Sequence, residues 1–313
     1  MEEKIFKTYE EQIEILRARG LIVNNEKFFK DCMEHDDYYN VINGYKKYFL
    51  TSTNPEHYRK GVKFEHIQAL YSFDQNIRGY FLLELLKIEK YIKSIIAYHF
   101  SAKYGHDHRK YLNIKNFKND TVKNRSYAIK TIENIKLDIS RYQKLSAIKH
   151  YLADYGYIPL WVLNSVLSFG RIANLYVCLK LDMQQVIAGH FKLSAAEFCG
   201  FLYFLDDWRN TCAHGGRVYT NDKQKRYQKI IPNTKYHALL GIPKNNAGNY
   251  ISGKTDVTAM LIALKLFCTA ENFHCLKEQL GCECIKLKSA IPEVVMINIE
   301  REMGNLMQAL DKL

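Results

Sequence analysis

A chain of 313 residues, 47% hydrophobic and 13% aromatic, has apolar material for one large core or two smaller ones, which excludes a disordered protein. Its formal net charge of +12 points to a polyanionic partner without saying which one. The start of the chain lacks a secretory pattern, and the longest near-apolar stretch, 257–270, is broken by Lys265 and too short for a bilayer, so no membrane contact and a soluble, cytoplasmic protein are expected.

Only five prolines and long 3.6-residue periodicities predict a mostly helical chain. Thr8-Tyr9-Glu10-Glu11 reads as a capping box that opens a helix carrying Ile13 and Leu16 and stopping at Gly20. A short helix follows Asn25. The aromatic stretch Tyr38, Tyr39, Tyr45, Tyr48 and Phe49 then leads into a loop around Pro55 and Gly61. From Phe64 to Phe100 apolar residues recur every three or four positions, as one helix or two with a break near Gly79. Residues 105–119 read as a polar loop. Residues 115–149 hold nine Lys/Arg against three acids, with Ile129, Ile132, Ile135 and Ile139 spaced as a helix face. Pro159 starts another helix that Gly170 ends, residues 171–181 continue helically, and Asp182 caps a short helix.

Ser194-Ala195-Ala196-Glu197 is a second capping box, and Gly215-Gly216 is a stop signal. The helix between them carries the apolar stripe Phe198, Phe201, Leu202 and Leu205, and the next position on that stripe is Arg209. Asn210 and His214 follow, four apart on an adjacent face. Arg followed five residues later by His arises by chance roughly 0.4 times in such a chain, so spacing alone says little. Placement says more, because a charge that continues a buried stripe is costly unless it is paired or working. An Arg can hold a phosphate and its developing charge, and a His can move protons at neutral pH. The structural alternative is an Asp206–Arg209 helix pair beside a His favoured by the helix dipole.

Just after this helix, Arg217, Lys223, Lys225, Arg226 and Lys229 face only Asp222, with Tyr219 and Tyr227 interleaved. Cations neutralise phosphates and aromatic rings stack on bases. Arg217, Tyr219, Lys223, Lys225 and Arg226, with Lys123, Lys130 and Arg141 of the earlier basic segment, are therefore candidate RNA contacts. Residues 232–253 read as the only long irregular stretch, followed by two helices separated near Gly281 and Pro292. Within it, Gly248-Asn249-Tyr250-Ile251-Ser252-Gly253-Lys254-Thr255 matches a P-loop in letters. It lacks a preceding strand and a following strand that ends in Asp, so a capped loop is the expected reading and a nucleotide-binding switch the rival. Cys268, Cys275 and Cys282 are seven apart along one helix face and, with Cys284 and His274 nearby, include no C-x-x-C pair. Core packing is expected, with no metal and no cofactor.

Several segments in order resemble the Abi abortive-infection family, in particular its AbiD/AbiF-like group. They are Tyr9 to Ile13 with Arg19-Gly20-Leu21, Tyr38-Tyr39 with Asn43-Gly44-Tyr45, and Leu70 to Arg78 with Ile88-Glu89. Pro159 to Val162, Leu167 to Gly170 and Leu205 to Tyr219 complete the set, so the resemblance spans about residues 8 to 220. That family looks like a branch of the HEPN superfamily, whose active members are helical-bundle, metal-independent ribonucleases. The resemblance implies an all-α, HEPN-like helical bundle with N- and C-terminal helical extensions. The expected boundaries are 1–60, a core over 61–225 with a basic insertion at about 105–150, and 226–313.

The resemblance further implies an endoribonuclease of a phage-defence or toxin–antitoxin system, in which Arg209, Asn210 and His214 do the chemistry. It implies a homodimer that pairs two motifs in one cleft, RNA as substrate and a structured RNA as candidate regulator. Asp74, Arg78 and Glu89 would either orient the Arg and His from behind or form a buried pair that sets helix register. A non-catalytic RNA-binding module is the alternative from another class. One departure stands out. HEPN proteins modified by a partner nucleotidyltransferase carry a Tyr two residues after the His, where this chain has Gly216.

Overall fold

Helices make up every long element of the computed structural model, which describes residues 5–220 and 229–313. α1 (Tyr9–Ala18) and α2 (Glu26–Asp36) are followed by two short irregular turns, Tyr39–Asn43 and Lys46–Phe49. A small hairpin comes next, with β1 (Leu50–Thr53) antiparallel to β2 (Glu56–Tyr58). Then come α3 (Phe64–Tyr104), α4 (His108–Tyr111), α5 (Val122–Tyr142), α6 (Ser146–Asp154) and α7 (Leu160–Leu163). α8 (Phe169–Cys178), α9 (Leu181–Gly189) and α10 (Ala195–Ala213) follow. The chain ends with α11 (Lys235–Leu239), α12 (Val257–Phe267), α13 (Ala270–Ala290), α14 (Glu293–Glu302) and α15 (Leu306–Lys312). The all-α expectation holds, and both capping boxes form as read.

α3 is the axis of the fold. It runs unbroken for 41 residues, about 60 Å, straight through Gly79. Apolar side chains on several of its faces are buried, among them Leu70, Ile77, Phe81, Leu85, Ile92 and Phe100. α7, α8, α9, α10 and α13 all pack along it. The C-terminal helices therefore join the same core, with Asn76 Nδ2 donating to Glu283 Oε2 at 2.8 Å. The basic segment expected as an insertion packs as well. α5 buries Ala128, Ile132 and Ile135 against α8, and Arg171 Nε reaches Asp138 Oδ2 at 2.7 Å.

Several local expectations need correction. The hairpin at 50–58 lies where a loop was expected, because its residues pair with each other and carry no helical period. Gly170 does not end a helix. Ser168 caps a new one, and Gly170 lies in its first turn. Asp182 is inside the first turn of α9, with Lys180 at the cap position. A short helix, α11, interrupts the irregular stretch 232–253. Gly281 lies within a continuous α13, so four helices and not two close the chain. Among the described residues no helix is long and apolar enough to cross a membrane.

One buried carboxylate joins three distant parts of this frame. Asp74 on α3 is fully buried and accepts hydrogen bonds from Tyr45 Oη (2.8 Å), Val218 N (2.9 Å) and Tyr219 N (2.6 Å). Arg78 Nη1 lies 3.4 Å from its Oδ2. Burial pushes the Asp74 carboxyl upward, while the Tyr45 hydroxyl, the two backbone N–H groups and Arg78 oppose that shift. Removing it strands those donors in the core. Asp74→Ala is expected to lose about 3–5 kcal/mol and Tyr45→Phe about 1–2 kcal/mol in urea unfolding at neutral pH. A loss below about 1 kcal/mol for Asp74→Ala would show that the carboxylate is not the tie described.

Asp256, at the start of α12, is a second buried acid. It accepts from Gly253 N at 2.8 Å and Ala259 N at 2.9 Å, and burial nonetheless pushes its carboxyl up to about 6. The native chain therefore holds this proton more tightly than the unfolded chain, whose Asp titrates near 3.9. Its contribution to stability is absent above pH about 6 and grows as pH falls towards about 4, by up to roughly 3 kcal/mol. Stability measured against pH over that range should show this component in the parent protein and lack it in Asp256→Asn.

Candidate active site at the end of the motif helix

α10 is positioned by its apolar side. Phe198, Phe201, Leu202 and Leu205 are fully buried, and Trp208 sets its ring edge-on to Phe81 of α3 at 5.9 Å. This packing leaves Arg209 at the margin of the core, its side chain 30% exposed. Arg209 Nε donates to Glu89 Oε2 of α3 at 3.0 Å, and Lys93 Nζ holds the other Glu89 oxygen at 2.7 Å. Thus Glu89, not Asp206, pairs with Arg209, and the helix-internal pair is replaced by a contact between helices. Asp206 takes Asn210 Nδ2 at 3.3 Å instead, and burial raises its carboxyl. It lies so close to α8 that a Cβ on Gly170 would come within 2.8 Å of Asp206 Oδ2. The Phe169-Gly170 pair therefore has a steric reason.

His214 is the residue at which α10 stops, its N–H still bonded to Asn210 O at 3.0 Å. Gly215 takes φ +72°, and Gly216 N returns to Thr211 O at 2.8 Å. A Cβ on Gly216 would meet Thr211 Cγ2 at 2.8 Å, so the turn itself disfavours a tyrosine there. Tyr219, the nearest alternative, is 1% exposed, stacks on Tyr45 and donates its hydroxyl to Gly44 O at 3.3 Å. The expectation that Tyr219 stacks on RNA is therefore corrected: its ring is core, drawn in by the Asp74 clamp on its own backbone.

The exposed His214 lines a hollow of about 420 Å³ with Tyr39, Arg78 and Arg217. Arg78 Nη1 also lies 3.4–3.5 Å from the carbonyls of Gly215 and Gly216, and Arg217 Nη1 donates to Gly44 O at 2.9 Å. Arg209 lines a different groove of about 670 Å³, shared with Trp161 and Tyr98. The two lie five positions apart, about 7.5 Å along the helix axis. One chain thus presents its cation and its imidazole at neighbouring but separate openings.

Other sequence-predicted residues lie elsewhere. Lys123, Lys130 and Arg141 are exposed on α5, and Lys123 lines a third hollow with Lys118 and Lys180, apart from Arg209 and His214. Lys223, Lys225 and Arg226 lie outside the described residues. The P-loop-like segment is a loop closed on itself. Ile251 N bonds Pro243 O, Lys254 Nζ donates to Asn233 Oδ1 at 2.6 Å, and the helix begins only at Val257. The Asp256 carboxylate occupies that helix N-terminus, where a P-loop would seat a phosphate. The expected core packing of the cysteines holds for Cys284 alone among those on α13: Cys275 and Cys282 are exposed, and Cys268 caps the end of α12 and so shares no helix face with them. Among the described residues no His, Cys, Asp or Glu cluster of three or more could hold a metal ion.

Sequence reasoning missed Trp161, Tyr39 and the Lys93 hold on Glu89. Only Trp161 had a readable signal: Leu160 and Leu163, three apart, mark one buried face and leave the tryptophan off it.

A model of the Abi-like protein family matches residues 31–220. No curated protein and no solved structure matches the chain. The matched span holds the Asn43-Gly44-Tyr45, Asp74–Arg78 and Arg209–Tyr219 segments that meet around the end of α10. The chain therefore belongs to the Abi-like protein family, a membership that points to abortive-infection defence against phage.

Proposed function

We propose that this protein is an endoribonuclease of HEPN type, acting in abortive infection or as the toxin of a toxin–antitoxin pair. The reading rests on one arrangement: an arginine and a histidine stand accessible near one helix end, while on a single neighbouring helix Glu89 holds the arginine side chain and Asp74 ties the backbone a few residues beyond the histidine. RNA supplies its own nucleophile, the 2′-hydroxyl beside the scissile bond. Its attack on phosphorus leaves a 2′,3′-cyclic phosphate and a 5′-hydroxyl. His214 moves the proton, Arg209 neutralises charge on the phosphate, and Asn210 orients the guanidinium through its Oδ1, 3.4 Å from Arg209 Nη1. None of these roles calls for a metal.

Glu89 fixes the direction of the guanidinium. Asp74 and Arg78 fix the backbone just after His214. Because the two groups open onto separate hollows in one chain, we place the working site in a homodimer, with both motifs lining one cleft. The same separation favours a second reading, in which the basic grooves bind RNA without cutting it.

Two variants separate these readings. With total tRNA and a chelator present, the parent protein should yield ends carrying cyclic phosphate. His214→Ala should lower cleavage about 10²–10⁴-fold at unchanged RNA affinity. Arg209→Lys should lower it about 10²-fold or more, since an ammonium cannot span two phosphate oxygens. Parent protein that binds RNA and never cuts it leaves the binding module standing and removes the nuclease.

Glu89→Gln keeps the shape but halves the hold on Arg209. It should cost about tenfold in cleavage at unchanged thermal stability within a few degrees, measured side by side.

A further inference from the structure

The groove that Arg209 enters has an aromatic wall that the chemistry above does not use. Trp161 is 52% exposed and Tyr98 is 72% exposed, and both line this groove with Arg209, Lys90 and Lys93. The tryptophan is not loosely held. Pro159 starts α7, Leu160 and Leu163 on either side of Trp161 are fully buried, and Asn164 Nδ2 donates to Lys93 O of α3 at 2.8 Å. Two exposed aromatic rings thus stand beside Arg209, Lys90 and Lys93 in one groove, the pairing of ring faces with cations that suits a nucleotide's base and phosphate. Lys90 is exposed and has no acidic partner among the described residues, while Lys93 is committed to Glu89.

We infer that Trp161, with Tyr98, is the platform on which an unpaired RNA base stacks while Arg209 grips a neighbouring phosphate. The inference rests on the ribonuclease reading for its substrate. It adds that the substrate must be single-stranded at the site, because a ring can cover a base face only after that face leaves its own stack. Lys90 then contributes a backbone phosphate contact on the same wall. Trp161 is a binding and positioning residue here, with no part in proton transfer.

The chain has two tryptophans, and Trp208 is 7% exposed, so a ligand-dependent change in indole fluorescence reports on Trp161. The test uses the full-length His214→Ala protein with three probes: a short single-stranded RNA, the same strand annealed to its complement, and the same strand carrying abasic sites. Quenching is expected with the first alone. In fluorescence anisotropy, Trp161→Ala should weaken single-strand binding about 5- to 100-fold, and Trp161→Phe should restore most of it. Neither change should affect the melting temperature, because the anchoring leucines remain. Duplex and abasic strands should bind weakly and be indifferent to either change.

Equal single-strand affinity for Trp161→Ala and its parent overturns the inference, as does equal quenching by duplex. Cleavage by the otherwise unaltered chain that is untouched by Trp161→Ala sinks the platform and leaves the nuclease. Trp161-dependent binding by a chain that never cuts RNA does the reverse.

Discussion

Asp74 decides how the end of the motif helix is presented. A carboxylate buried completely in a helical core is tolerated only when donors surround it, and here two of those donors are backbone N–H groups just beyond His214. The chain leaving α10 is therefore not a free loop. It turns at Gly215-Gly216, is drawn back onto α3, and buries Tyr219 against Tyr45. His214 stands at the outer corner of that turn, exposed but fixed at both ends. A histidine on an untethered loop would spend little of its time in one geometry, which the proposed proton transfer would need.

Glu89 does for Arg209 what Asp74 does for His214, with a different balance. Two cations, Arg209 and Lys93, share its two oxygens at the edge of the core. The pair is half-buried and not sealed, so one edge of the guanidinium is occupied while the side chain remains open to a groove. Both carboxylates lie on α3, fifteen positions apart on one continuous helix. The guanidinium of Arg209 and the backbone just beyond His214 are thus both tied to a single helix. An unbroken α3, with Gly79 in its interior, matters to the site for this reason.

The P-loop-like segment illustrates how letters and chemistry part. Its glycines take positive φ and its lysine is partly buried, yet the lysine is tied to Asn233 and the nearby helix N-terminus is already filled by Asp256. A phosphate there would meet a carboxylate. The motif helix differs because its signals agree at every level. The capping box, apolar stripe, glycine stop and buried partners of α10 all describe one helix with an accessible end.

From residue order alone came the helical class, the bounds of α10, the Arg209–Asn210–His214 string and its resemblance to the Abi family, because these rest on short-range periodicity and capping. The identity of the partners needed the folded chain. Nothing local announces that Glu89 and not Asp206 pairs with Arg209, that Tyr219 turns inward, or that Trp161 shares a groove with a residue 48 positions later. Each of those contacts spans a long stretch of sequence, and only the packing of α7, α8 and α10 around α3 brings the two sides within reach. Propensity acts over a turn or two, whereas a site is made by whatever the core forces together.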